Sequence, residues 1–111
     1  MHDNRIDVVC ICTPSGMHLE PALTAIKAGK TCVVEKPLEI TPERCDRIIE
    51  AGIRNNVMVS GIFPMRFSRV NQELKKAIDE GRFGKLVMGD AFIKWYRSPE
   101  YYRDVKWRSS R

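Results

Sequence analysis

Three short apolar runs, residues 6–12, 31–34 and 57–59, alternate with two segments whose apolar residues recur at helical spacing. Strand, helix, strand, helix, strand joined by short connections implies two right-handed crossovers, and so a parallel sheet. The first run is broken only by Asp7, the pattern of a strand buried on both faces. Leu19, Ala22, Leu23 and Ile26 then follow helical spacing, with Gly29 as the stop. Thr41-Pro42-Glu43 reads as a helix start: a hydroxyl cap, a proline in the first turn and an acid facing the dipole. Cys45, Ile48, Ile49 and Ile53 form that helix's apolar stripe, and the third strand at 57–59 ends at Gly61.

Parallel strands bring their carboxyl ends to one rim, here residues 13–18, 35–37 and 62–67. In open α/β sheets ligands bind at that rim. Glu35-Lys36-Pro37 directly follows the β-branched second strand, and its proline ends the strand. A lysine held there beside a carboxylate can donate a proton, accept one or clamp a cofactor. A surface ion pair is the alternative.

Beyond Ser68, which caps a further helix, Val70, Leu74, Ala77 and Ile78 share one side, and Gly81 ends it. Gly84 turns the chain into residues 86–96, which alternate in the manner of a half-exposed strand of antiparallel character. The tail from residue 97 is polar, aromatic and basic. Net charge is uneven: residues 1–60 carry −1 and residues 61–111 carry +6. The basic side chains are dispersed, which favours an anionic small ligand or an acidic partner over nucleic acid.

With 111 residues, 43% of them hydrophobic, the chain suffices for one domain and is too short for two ordinary ones. No stretch approaches a membrane span and residues 1–5 lack the apolar segment of a signal peptide, so a cytoplasmic location is expected. Cys10, Cys12 and Cys32 lie in apolar runs and Cys45 on a helix's inner face. Neither zinc spacing nor a disulfide framework is present, so the four are expected to be buried hydrophobes.

Thr13-Pro14 with His18, Gly29-Lys30, Glu35-Lys36-Pro37, Thr41 with Glu43, Arg66-Phe67, Gly81 to Gly84, and Tyr101-Tyr102 with Trp107-Arg108 follow one another in an order that resembles the Gfo/Idh/MocA oxidoreductases. The resemblance implies a partial Rossmann-like βαβαβ sheet over residues 1–65, the second half of a dinucleotide-binding domain. It is followed, over 66–111, by a helix and a strand opening a mostly antiparallel α+β substrate-binding and oligomerisation domain. It also implies oxidation or reduction of sugars, inositols or related polyols with NAD or NADP.

Residue by residue, the resemblance places Thr13, Pro14 and His18 near the cofactor's ribose and nicotinamide side. Glu35 would hold the nicotinamide ribose or carboxamide, and Lys36 would reach the substrate hydroxyl beside the hydride-transfer carbon as the catalytic residue. Pro37 is often cis in this motif. Arg66 would face cofactor or substrate, Trp107 and Arg108 would lie near the nicotinamide, and Tyr101 or Tyr102 would line the sugar pocket. Each has a plainer reading: His18 as a helix-start packing residue, Arg66 as a solvated charge, and Trp107 and the tyrosines as packing or interface residues.

The chain departs from the family where phosphate is bound. It contains no G-x-G-x-x-G turn, and Ser109-Ser110-Arg111 stands where the family continues with Gly-Thr. The expectation is therefore the middle segment of a longer enzyme, with little turnover on its own. The alternative is a non-catalytic module that homo-oligomerises through its C-terminal strand. Nucleic-acid binding by the basic second half is a weaker third reading.

Overall fold

A computed structural model describes residues 3–104, and Trp107 and Arg108 lie outside that range. The order of elements is β1 (Val8–Ile11), α1 (Leu19–Lys27), β2 (Thr31–Val34), α2 (Pro42–Arg54), β3 (Val59–Gly61), a 3-10 turn (Pro64–Phe67), α3 (Arg69–Asp79) and α4 (Pro99–Arg103). Two compact units divide the chain, residues 1–63 and 64–111.

In the first unit the strands form a parallel sheet in the order β1-β2-β3. Val9 pairs with Cys32 and Ile11 with Val34, while Cys32 and Val34 also pair with Val59 and Gly61. Ile11, Cys32 and Val34 point into a core shared with Leu19, Ala22, Ala25 and Ile26 of α1 and Ile48 and Ala51 of α2. Both helices therefore cover the same face of the sheet, as two successive crossovers in one direction require.

The opposite face carries the corrections. Val8 is 50% exposed, and Cys10 and Cys12 are exposed as well, so β1 is not buried on both sides. Of the four cysteines only Cys32 is buried. On α2, Ile49 and Ile53 are exposed, because Ile48, Ala51 and Gly52 are the residues that meet the sheet.

Three helices end alike. Gly29 (φ +72°) lets Lys30 N–H reach the Ala25 carbonyl and its own N–H reach Ile26, the double bond of a Schellman motif. Asn56 (φ +51°) does the same for α2, with Val57 N–H donating to Gly52, and Gly81 for α3, with Arg82 donating to Ala77. The Val57 N–H closes α2, and β3 begins at Val59 rather than at residue 57. At the front of α2, Thr41 caps as expected, its Oγ1 accepting from Arg44 N–H at 3.4 Å.

Within the second unit α3 follows the 3-10 turn, and among the described residues no side chain beyond residue 63 is buried. Residues 86–96 form no strand. Their alternation is that of a strand, but a strand exists only through a ladder partner, and none pairs with them among the described residues. Val87, Phe92, Ile93 and Trp95 are each exposed. Among the described residues no helix is long and apolar enough to cross a membrane.

Candidate functional site

The carboxyl ends of the three strands are levelled by the ladder itself. Glu35 N–H donates to the Ile11 carbonyl at 2.9 Å, and Ile62 N–H to the Val34 carbonyl at 2.8 Å. The turn after β1 closes on itself: Met17 N–H reaches the Pro14 carbonyl, and the Thr13 hydroxyl donates to the Met17 carbonyl at 3.0 Å. Gly16 sits in that turn at φ +85°, where a side chain would be strained and would crowd Ile40.

The loop after β2 is held at each step. Lys36 N–H donates to the Glu35 carboxylate at 2.7 Å, and the Lys36–Pro37 peptide bond is cis. The Pro37 carbonyl lies 2.9 Å from His18 Nδ1, while His18 Nε2 lies 2.8 Å from the Thr13 carbonyl. One imidazole thereby ties the turn after β1 to the loop carrying Lys36. Lys36 itself is exposed, as are Thr13, Pro14 and Pro37, and Glu35 is half-buried.

His18, expected beside a cofactor, is instead buried at 1% exposure with both ring nitrogens on main-chain oxygens. That leaves no ring atom to present to a ligand at the rim.

Beneath the loop lies a buried carboxylate that sequence reasoning missed. Glu39 Oε1 accepts from the main-chain N–H groups of His18 and Leu19, each at 3.1 Å, and Oε2 accepts from Ile40 N–H at 2.8 Å. The Arg44 guanidinium grips both oxygens, Nε at 2.9 Å and Nη2 at 3.1 Å, and Nη2 also donates to the Gly16 carbonyl. Arg44 first, then the main-chain donors, hold the Glu39 carboxyl down at about 2 against the opposing pull of burial. The same pairing raises the Arg44 guanidinium above its usual value. Glu39 sits at the start of α1, where an anion complements both the free N–H groups and the dipole.

The other expected site residues fall in the second unit. Arg66 lies in the 3-10 turn and lines an open groove with Met65, Asn71 and Gln72. Tyr101 and Tyr102 pack edge to face at 5.3 Å between centroids, and the Arg97 guanidinium lies 4.2 Å from the Trp95 ring and 4.9 Å from that of Tyr101. Among the described residues no group of three metal-ligating side chains converges.

Chemically, the rim of the first unit offers an exposed ammonium and a neighbouring carboxylate on a loop fixed on both sides. That donor and acceptor pair suits a ligand rich in hydroxyls, such as a ribose or a polyol.

Comparison with known proteins identifies the family. The profile of an oxidoreductase family with an NAD-binding Rossmann fold, Gfo/Idh/MocA, matches residues 1–63. The chain is 37% identical over 87 residues to inositol 2-dehydrogenase 2 of Saccharopolyspora erythraea, covering 78% of this chain and 26% of that protein. It is 32% identical over 107 residues to the NADP(+) scyllo-inositol 2-dehydrogenase IolW of Bacillus subtilis, covering 96% of this chain and 29% of that one. Among solved structures, the WlbA dehydrogenase of Bordetella pertussis in complex with NADH and UDP-GlcNAcA superposes with a TM-score of 0.87 at 34% identity, over 94% of this chain and 31% of the other. The chain thus spans about a quarter to a third of the length of these relatives.

Proposed function

The chain belongs to the Gfo/Idh/MocA oxidoreductase family, and on that premise we propose that it carries the nicotinamide-side part of a site that oxidises or reduces a sugar, an inositol or a related polyol with NAD or NADP. The observation that carries this reading is the placement of Glu35 and Lys36 at the carboxyl end of β2, on a loop whose main chain is bonded on both sides. The inositol dehydrogenases among its relatives support the substrate class.

In this reading Glu35 holds hydroxyls of the nicotinamide ribose, and Thr13 and Pro14 border the same half of the cofactor. The family resemblance further assigns nicotinamide-side roles to Arg66, Trp107 and Arg108, and sugar binding to Tyr101 and Tyr102. His18 acts by holding the loop rather than by touching a ligand. The bound cofactor supplies the hydride acceptor or donor. Lys36, in its neutral amine form, would take up the hydroxyl proton of the alcohol as the hydride leaves its carbon, becoming the ammonium, which returns the proton in the reverse direction. The rim donors fit the ribose half of a dinucleotide. The chain has no G-x-G-x-x-G turn for the pyrophosphate, so turnover by these 111 residues alone is expected to be slight.

Residues 1–65 then act as the second half of a dinucleotide-binding domain and residues 66–111 as the opening of a substrate and oligomerisation domain. A cytoplasmic enzyme agrees with the free cysteines.

NMR titration with NADH tests the reading. The Thr13, Glu35 and Lys36 amides should shift in a saturable way, and Lys36→Met should weaken or abolish the change at its own position. Saturation confined to the basic second unit, with the rim unmoved, would overturn it.

One observation favours a second reading, a non-catalytic module pairing through residues 86–96. The exposed Val87, Ile93 and Trp95 fall on one face of the strand-like alternation there, and Phe92 on the other. A monomer at high concentration in size-exclusion chromatography would remove it.

A further inference from the structure

We infer that Glu39 and Arg44, acting through His18, are positioning residues that set the main chain around Lys36. The inference rests on the role proposed above for Lys36, and deepens it.

The connection can be followed bond by bond. Arg44 is fixed on α2 and reaches 28 residues back along the chain to the Gly16 carbonyl, while its fork closes on the Glu39 carboxylate. Glu39, 5% exposed, grips the main-chain N–H groups of His18 and Leu19. Its grip places the His18 backbone, and through it the imidazole whose nitrogens lie 2.9 Å from the Pro37 carbonyl on one side and 2.8 Å from the Thr13 carbonyl on the other. Pro37 is the immediate neighbour of Lys36, and Glu35, on the other side, is locked into the ladder. The lysine backbone is therefore suspended between a sheet hydrogen bond and a bond that depends on a buried ion pair.

A general stabilising salt bridge would not need this arrangement. Ion pairs exposed to water contribute little, and a buried carboxylate is costly unless every lone pair is used. Here the carboxylate accepts from three main-chain donors and a two-pronged guanidinium, and all of them belong to segments flanking the rim. Arginine is required for that two-pronged grip; a lysine would retain the charge and lose the fork.

The test is amide hydrogen exchange and resonance position in the 111-residue chain without cofactor. In Glu39→Gln, exchange at His18 and Leu19 should rise at least about tenfold, because each loses a charged acceptor. The Lys36 and Leu38 amides, which flank the Pro37 carbonyl, should move. The ladder amides of Cys32 and Ile62 should stay within about twofold of the parent. Arg44→Met should give the same pattern and Arg44→Lys a weaker version of it.

Equal acceleration everywhere would make the pair a global stabiliser and overturn the inference, as would loosening of His18 with Lys36 and Leu38 unmoved. If a variant fails to fold, the parent chain answers: on acidification the Leu38 amide should titrate together with the Glu39 carboxyl carbon while the Cys32 and Ile62 ladder amides hold. The Lys36 amide, bonded to the Glu35 carboxylate, does not serve as a reporter here, and independent behaviour of Leu38 would overturn the inference. None of these readouts needs NADH. Failure to bind NADH would therefore sink the proposed function alone, and an unmoved Lys36 in Glu39→Gln would sink the positioning role alone.

Discussion

The Nδ1 atom of His18 lies 2.9 Å from the carbonyl oxygen of Pro37, a contact across 19 residues that ties the start of α1 to the loop after β2. Its other ring nitrogen is committed to Thr13, so the ring works as a bracket between two loops.

Replacing that bracket by a side chain of similar bulk separates hydrogen bonding from packing. His18→Phe fills the volume but removes the ring N–H, of which a neutral imidazole has one, that serves the Pro37 or the Thr13 carbonyl. Both residues border solvent, so water recovers part of the loss. The expected cost is about 2 kcal/mol in chemical denaturation. A cost below about 0.5 kcal/mol would show that packing, not bonding, is what the ring supplies.

Glu39 gives the chain an acid sensitivity of defined sign. Its carboxyl is held at about 2, below the ordinary 4.5. The folded state therefore binds its proton less readily than the unfolded state does. The stabilisation is complete above about pH 4.5 and is lost as pH falls through about 2. Roughly 3 kcal/mol rides on that difference, and denaturation midpoints between about pH 5 and about pH 3 should fall accordingly. Glu39→Gln should be less stable near neutrality and show a shallower acid slope.

The βαβαβ order and the reversals at Gly29 and Gly81 were legible because each depends on local chemistry: β-branched runs, and glycine where a helix must turn back; the reversal at Asn56 was not read. The start of β3 was not, since only the bond from Val57 N–H to the Gly52 carbonyl shows that residue 57 belongs to the end of α2. Nor was the exposure of Cys10, because an apolar run does not say which of its two faces a helix will cover. Thr13, Glu35 and Lys36 could be placed at the rim from topology alone. Glu39 could not, as its partners His18 and Leu19 lie 21 and 20 residues away. The nearest signal was the Glu39–Arg44 spacing, which places a charge pair across a helix start, and it is too common to single out.

Two glycines distinguish conformational strain from crowding. Gly29 has φ +72° and open space where a Cβ would go, so Gly29→Ala costs only the left-handed backbone, about 1 kcal/mol. Gly52 is helical, and alanine there gains propensity. Yet its Cβ would lie 2.9 Å from Val59 Cγ2 and 3.1 Å from the Val57 carbonyl, which is fixed main chain. Crowding of that kind typically costs about 1–3 kcal/mol, so Gly52→Ala should be the more damaging of the two despite its ordinary backbone. Thermal denaturation of the pair decides the order.

Thiol labelling reads out which face of the sheet is open. Cys32 is fully buried, burial pushes its thiol pKa up, and its Sγ lies 3.5 Å from the Lys30 carbonyl. Both effects suppress thiolate attack. Cys10, one register step along β1 from the partner of Cys32, points to the uncovered face and is exposed. Brief treatment of the native chain with iodoacetamide should therefore modify Cys10 and Cys12 first, with Cys45 slower. Cys32 should react only under denaturing conditions. Protection of Cys10 that grows with protein concentration would mean that a second copy covers this face. Protection at every concentration would contradict the exposed β1 surface.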